Sequence, residues 1–168
     1  MRARQQCFRA LMGRFVTSVT VIAVKTEKSS ALAAGDEIHA MTANAVSAVS
    51  LDPLLLLACI RNESQTLPAL IRSGEFSVNV LAAGQENISR HYGGRPQSPS
   101  PARWTWHTDK VPVLADANVS FACSIHSSHL AGDHTVIYGE VFAMVAADRA
   151  APALVYATGR YHDVFLAA

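Results

Sequence analysis

Little charge and few aromatic rings mark this chain: 16% of its 168 residues are Asp, Glu, Lys or Arg, and 7% are Phe, Trp or Tyr. The formal net charge is +1 and no block of lysine or arginine occurs, so the concentrated basic surface that binds nucleic acid is absent. The scarcity of rings likewise removes the stacking platforms of single-strand binders. Cysteine is sparse: Cys7, Cys59 and Cys123 are odd in number and share no Cys-x-x-Cys spacing, which predicts buried thiols in a reducing compartment. No apolar run approaches the roughly 18 residues of a membrane-crossing helix. Arg2, Arg4, Arg9 and Arg14 interrupt the N-terminus where a secretory leader would carry its apolar core. These absences predict a soluble cytoplasmic protein with no membrane contact. Three signatures are missing too. No Gly-x-Gly-x-x-Gly follows a strand, no P-loop occurs, and no Gly-x-Ser-x-Gly elbow is present. A nicotinamide nucleotide, if bound, has no ready-made phosphate cradle.

What is present is apolar: half the residues are hydrophobic and the mean hydropathy is +0.18. That composition excludes disorder. The length predicts one domain over residues 1–168, burying roughly 70% of its unfolded surface. Low charge also predicts more apolar surface than a monomer needs, with oligomerisation as the outlet.

Phe8, Leu11, Met12 and Phe15 recur at helical spacing, so the chain is expected to open with an amphipathic helix. Val19 to Val24 reads as a β-branched strand, Thr26 to Glu37 as a polar connection, and His39 to Asn44 as its return strand. Leu54 to Ile60 reads as a fully buried strand. Pro68 fits the first turn of a helix that Gly74 closes, and Phe76 to Leu81 alternates as a strand. Glu86 to Tyr92 is a short helix ended by Gly93-Gly94, followed by an irregular Pro-rich loop from Arg95 to Arg103. Trp104 to His107, Asn118 to Ser127, Thr135 to Val145 and Leu154 to Tyr161 complete the strands. Many strands with few helices predict an all-β barrel with helical insertions, although strand count alone does not separate barrel from sandwich.

One stretch, His39 to Pro53, concentrates small hydrogen-bonding residues: Thr42, Asn44, Ser47 and Ser50 are interleaved with Ala and Val. Such a mixture lets a flat, polar-edged heterocycle approach the backbone and be read by its N–H and C=O groups. It also suits a strand turning through the Asp52-Pro53 corner, with its hydroxyls bonded locally. His126, His129 and His134 beside Asp133 raise a metal, but residues three apart on a strand face opposite ways and the cysteines lie elsewhere, so no metal is expected. Asp133 and His134 are not automatic partners, because neighbours on an extended chain point apart. Ser64 and Thr66 stand at a helix start, where capping and phosphate binding are compatible. Arg90 offers a fork of donors matched to phosphate, or is simply a solvated charge.

The stretch from His39 to Pro53 resembles the flavin-binding signature of the short-chain flavin reductases, the small components of two-component flavin-dependent monooxygenases. Further pieces match in the same order: Phe8 to Phe15 leading into Val19 to Ile22, Gly74 to Leu81, Ser89-Arg90, Gly132 to Thr135, and Leu154 to His162. The resemblance implies a mainly β, split-barrel fold with short helices between strands, a homodimer with flavin at the subunit junction, and hydride transfer from NADH or NADPH to FMN or FAD. It implies that reduced flavin passes to a separate monooxygenase. It also implies site residues: Met41, Thr42, Ala43, Asn44, Ser47, Ser50 and Cys59 around the isoalloxazine and ribityl chain, and Asn62, Ser64, Thr66, Ser89 and Arg90 toward ribityl and phosphate. His134 would face the nicotinamide as the catalytic residue, and Arg160 and Tyr161 would close the site. Ala40 stands where the family commonly has glycine, Leu54 where a second proline often follows Asp-Pro, and the connection from Thr26 to Glu37 is longer than usual. A non-catalytic flavin carrier or sensor, and a pyridoxamine-phosphate-oxidase-like enzyme, remain alternatives on the same barrel.

Overall fold

The computed structural model describes residues 2–26, 38–147 and 152–165. The connection expected from Thr26 to Glu37 therefore lies, from residue 27 on, outside the described residues. In chain order the elements are α1 (Arg2–Met12), β1 (Thr17–Ser18), β2 (Thr20–Lys25), β3 (Ile38–Ala43), β4 (Val46–Leu51), β5 (Leu54–Arg61) and α2 (Thr66–Ser73). There follow β6 (Glu75–Val80), α3 (Glu86–Tyr92), β7 (Trp104–Trp106), β8 (Pro112–Leu114), β9 (Val119–Ala131), β10 (His134–Ala146), β11 (Ala153–Ala157) and β12 (Arg160–Val164). No described helix is long and apolar enough to cross a membrane.

The main sheet runs β3-β2-β6-β9-β10-β5-β4, every pair antiparallel. Its two edge strands, β3 and β4, are consecutive in the chain, with only Asn44 and Ala45 between them. The sheet must therefore curl until its edges meet, and the Cys59 N–H donates to the Ala45 C=O at 2.9 Å where they do. Beyond that contact β3 and β5 part, which gives the expected split β-barrel. Among the described residues β3 keeps a free edge there, along which alternate backbone groups lack a strand partner.

Strand alternation sorts the core. Ile22, Ala58, Ile60, Phe76, Val78 and Ile137 fill the barrel. Val19, Val21, Leu81, Ile88 and Leu154 pack on its outside, beneath α3 and a small sheet of β1, β11 and β12. Gly139 on β10 is required by packing, because a Cβ there would come within 2.7 Å of Phe76 Cζ. The face of β6 carrying Ser77 and Asn79 is as buried as the face carrying Phe76 and Val78. Asn79 makes that tolerable by donating to Val21 O and Ser77 Oγ and accepting from Leu114 N and Ser120 Oγ.

Three expectations are corrected. Leu54 to Ile60 does form a strand, but only Leu56, Ala58 and Ile60 are buried, because the described residues cover the other face, that of Leu55, Leu57 and Cys59, only in part. Leu154 to Tyr161 is not one strand: Thr158 (φ 51°) and Gly159 (φ 78°) turn it back as the β11–β12 hairpin, the paired left-handed conformation that tight hairpins use. β9 continues past Ser127 to Ala131, since it and β10 run on as a long hairpin. α1 buries none of its residues, and Phe8, Leu11, Met12 and Phe15 are all exposed.

Candidate functional site

The outer face of β3 carries Thr42 toward α3, where its hydroxyl donates to Ser89 O at 2.7 Å. Ser89 is buried, and its own hydroxyl lies 2.9 Å from Tyr161 Oη. The Arg90 guanidinium stacks over the Tyr161 ring, 5.2 Å from its centroid, and Nε donates to Glu86 Oε1 at 2.6 Å. Tyr156 meets Tyr161 edge-on at 5.1 Å, and at the far end Asn44 Nδ2 donates to Thr17 Oγ1 at 3.3 Å. One helix, β3 and the small sheet thus build a polar strip running from Arg90 through Thr42 to Asn44. Arg160 does not join it, since neighbouring residues on a strand face opposite ways.

Across the split, the loop after β5 forms a second lip. Asn62 Nδ2 donates to Gly132 O at 3.2 Å, its Oδ1 accepts from Thr135 Oγ1 at 2.8 Å, and its N–H reaches Asp133 O at 3.0 Å. Ser64 Oγ lies 3.5 Å from Met41 Sδ and accepts the Thr66 N–H at 3.2 Å, so it ties the turn before α2 to β3, although the N-cap of α2 is Gln65, which makes no side-chain cap bond. Thr66 itself is buried. Cys59 is half-buried and its N–H makes the closing bond to Ala45, beside buried Ala43.

Asp133 and His134 do meet, contrary to the expectation for an extended chain: His134 Nδ1 lies 2.7 Å from Asp133 Oδ1. The reason is Gly132, whose φ of 65° makes the β9–β10 connection a turn, so strand alternation begins only at His134. The hydrogen bond with His134, and then the charge of its ring, hold the Asp133 carboxyl below its ordinary value of 3.8. His126 and His129 stand on β9, and no group of three ligating side chains converges among the described residues.

The third region is a largely apolar cavity of about 360 Å³ at the other end of the barrel. Asn44, Ser47 and Ser50 edge it, and Leu51, Leu55, Phe121 and Met144 contribute apolar wall. The local reading of the Asp-Pro corner holds for Ser50, which donates to Asp52 O at 3.1 Å and accepts the Asp52 N–H at 3.2 Å. Ser47 donates to Ala48 O at 3.3 Å. Ser50 pairs with Leu55 and Leu55 with Glu140, whereas His134 pairs with Arg61. From 134 to 140 is six strand steps, roughly 20 Å along β10. One chain therefore keeps Ser50 and His134 at opposite ends.

Sequence reasoning missed Glu86, Thr17, Tyr156 and Thr135 as members of these clusters. Glu86 had a signal, being four residues before Arg90 on a helix. The donor set is hydroxyls, amides, a free strand edge and one guanidinium. It fits a ring with polar edges and a phosphorylated tail, and so fits a flavin nucleotide.

Comparison with known proteins points the same way. A family model described as "Flavin reductase like domain" matches residues 12–164. The NADH-dependent flavin reductase of a Rhodococcus species is 36% identical over 133 residues, spanning 79% of this chain and 72% of that protein. The FMN reductase (NADH) RutF of Variovorax paradoxus is 34% identical over 160 residues, spanning 94% and 84%. The crystal structure of BorF, the flavin reductase component of a bacterial two-component tryptophan halogenase, has a TM-score of 0.80 at 33% identity and covers 95% of this chain and 98% of that one.

Proposed function

The chain belongs to the flavin reductase like family, and on that premise we propose that it takes hydride from NADH, passes it to FMN or FAD, and supplies the reduced flavin to a separate monooxygenase. The observation that carries this reading is the polar strip along the free edge of β3, facing the Asn62–Ser64 lip across the barrel's split. A bound flavin supplies the redox chemistry by accepting a hydride equivalent at its ring.

The chain's own residues bind, orient and stabilise. Arg90, whose guanidinium lies over the Tyr161 ring, takes the phosphate through its remaining N–H donors. The Thr42 hydroxyl has already given its proton to Ser89 O, so it offers lone pairs to ligand donors. Asn44 and the free backbone of β3 read the ring edge, and unpaired N–H groups there stabilise negative charge as it grows on reduction. The Asn62–Thr135 bond fixes the opposite lip, and His134, oriented by Asp133, faces the nicotinamide. None of these tasks needs a strong acid or a nucleophile.

A homodimer completes this arrangement. The apolar stripe of α1, together with Leu51, Leu54 and Met144 at the cavity rim, is exposed in one chain. A second copy would cover it and bring the cavity end of one subunit toward the His134 lip of the other. Light scattering is expected to give twice the mass of 18.0 kDa, and a stable monomer across micromolar concentrations contradicts it. The cytoplasm suits a protein that draws on NADH and carries three free cysteines, with the Cys123 thiol pushed up to about 12 by burial.

The reductase reading is tested by following the nicotinamide absorption band in a mixture of protein, excess NADH and a catalytic amount of FMN or FAD. Consumption that requires both protein and flavin is expected. Flavin binding without consumption contradicts the reading and leaves a carrier.

A further inference from the structure

We propose that Glu86 is a built-in competitor for the flavin phosphate, loosening the grip of Arg90 so that flavin stays exchangeable. The inference rests on the proposed reading that Arg90 receives that phosphate. Glu86 and Arg90 are one turn apart on α3, and both Nε and Nη2 of the guanidinium donate to the same carboxylate oxygen. Both side chains are partly open to solvent, at 38% for Arg90 and 42% for Glu86, so an arriving anion can reach the pair.

Such a carboxylate has two opposing effects on anion binding. It can fix the guanidinium in a receptive pose, which helps, or it can neutralise the cation and repel the incoming charge, which hinders. The first effect is redundant here. The guanidinium already lies on the Tyr161 ring, and Tyr161 is tied at its hydroxyl to the buried Ser89. The second effect has no such substitute: a dianionic phosphomonoester must share the guanidinium with Glu86 at close quarters or displace it. Repulsion therefore prevails, and the phosphate is held by an already partnered cation. A protein that hands reduced flavin to another benefits from that weakness, because a tight phosphate anchor would make product release slow.

The test compares FMN with riboflavin, which has the same ring and ribityl chain without the phosphate. Glu86→Gln keeps an acceptor for Arg90 and removes the charge. It is expected to lower the Kd for FMN about three- to tenfold, to slow FMN release by a similar factor, and to leave riboflavin binding unchanged. The gain should shrink as salt is raised. Arg90→Ala, measured in parallel, is expected to weaken FMN but not riboflavin. If Arg90→Ala does so while Glu86→Gln leaves the FMN-to-riboflavin ratio unchanged or weakens FMN, Glu86 is an organiser and the proposal fails while the phosphate assignment stands. If Arg90→Ala leaves the ratio unchanged, the phosphate lies elsewhere and both fail. A stability defect alone would shift the two ligands together and so would not imitate the expected result.

Discussion

Replacing Thr42 with valine changes almost no volume and removes one hydroxyl, yet that hydroxyl joins β3 to α3. Its proton goes to Ser89 O at 2.7 Å, and the same carbonyl also accepts the Gly93 N–H at 2.8 Å within the helix end. Losing the Thr42 bond therefore does not orphan Ser89 O, and the stability cost is expected at the low end for a hydrogen bond, about 0.5–1 kcal/mol. The cost to flavin binding is larger. On the proposed reading the lone pairs of Thr42 accept from a ligand donor, and valine would present an apolar methyl to that donor, which water would otherwise satisfy. Loss of one ligand hydrogen bond with an unpaired donor left behind is worth about 1–2 kcal/mol, or roughly five- to thirtyfold in Kd. Flavin titration by fluorescence, beside a thermal melt on the same preparation, separates the two effects. Thr42→Ser should restore most of the affinity because it restores the hydroxyl. Unchanged flavin affinity in Thr42→Val with an intact fold would place the ring away from β3 and refute the reasoning.

His134→Ala is expected to lower kcat/KM for NADH by about five- to thirtyfold, with flavin affinity nearly unchanged and the melting temperature lowered no more than by Asp133→Asn, which breaks the same pair, and steady-state kinetics beside a melt check this. Asn79→Ala removes four buried hydrogen bonds and leaves the Leu114 N–H without its acceptor, so urea unfolding is expected to show a loss of about 3 kcal/mol or more. Asp133 titrates below its ordinary 3.8 in the folded protein, so its contribution is present above that value and disappears as pH falls through the lowered one. Melting temperatures of Asp133→Asn and the parent are thus expected to differ at neutral pH and converge in acid well below 3.8; a gap that persists there contradicts the pairing with His134.

Local elements were legible where one face met one environment. The spacing of Phe8, Leu11 and Met12 marked α1, and Gly93-Gly94 marked the end of α3. The run from Leu54 to Ile60 misled because an unbroken apolar stretch implies two covered faces, and the described residues cover one of them only in part. The C-terminal hairpin was hidden by Thr158, a β-branched residue in a left-handed conformation that its type rarely adopts. At the site, the residue types most suited to a flavin could be picked out, but their partners could not. Thr42 meets Ser89 across 47 positions and Asn62 meets Thr135 across 73, pairings that only the curled sheet creates. The split of Ser50 and His134 between barrel ends was equally invisible, since it follows from strand register.

The proposed passage of hydride from NADH to flavin has a direct optical signature. The direct measurement is anaerobic rapid mixing of NADH with the flavin-loaded protein while the flavin's visible absorption is followed. Bleaching at a rate that saturates with NADH, and that slows when the transferred hydrogen at the nicotinamide C4 is replaced by deuterium, is the predicted result. Bleaching no faster than that of free flavin with NADH, or a rate indifferent to deuterium at every stage of the reduction, would contradict it.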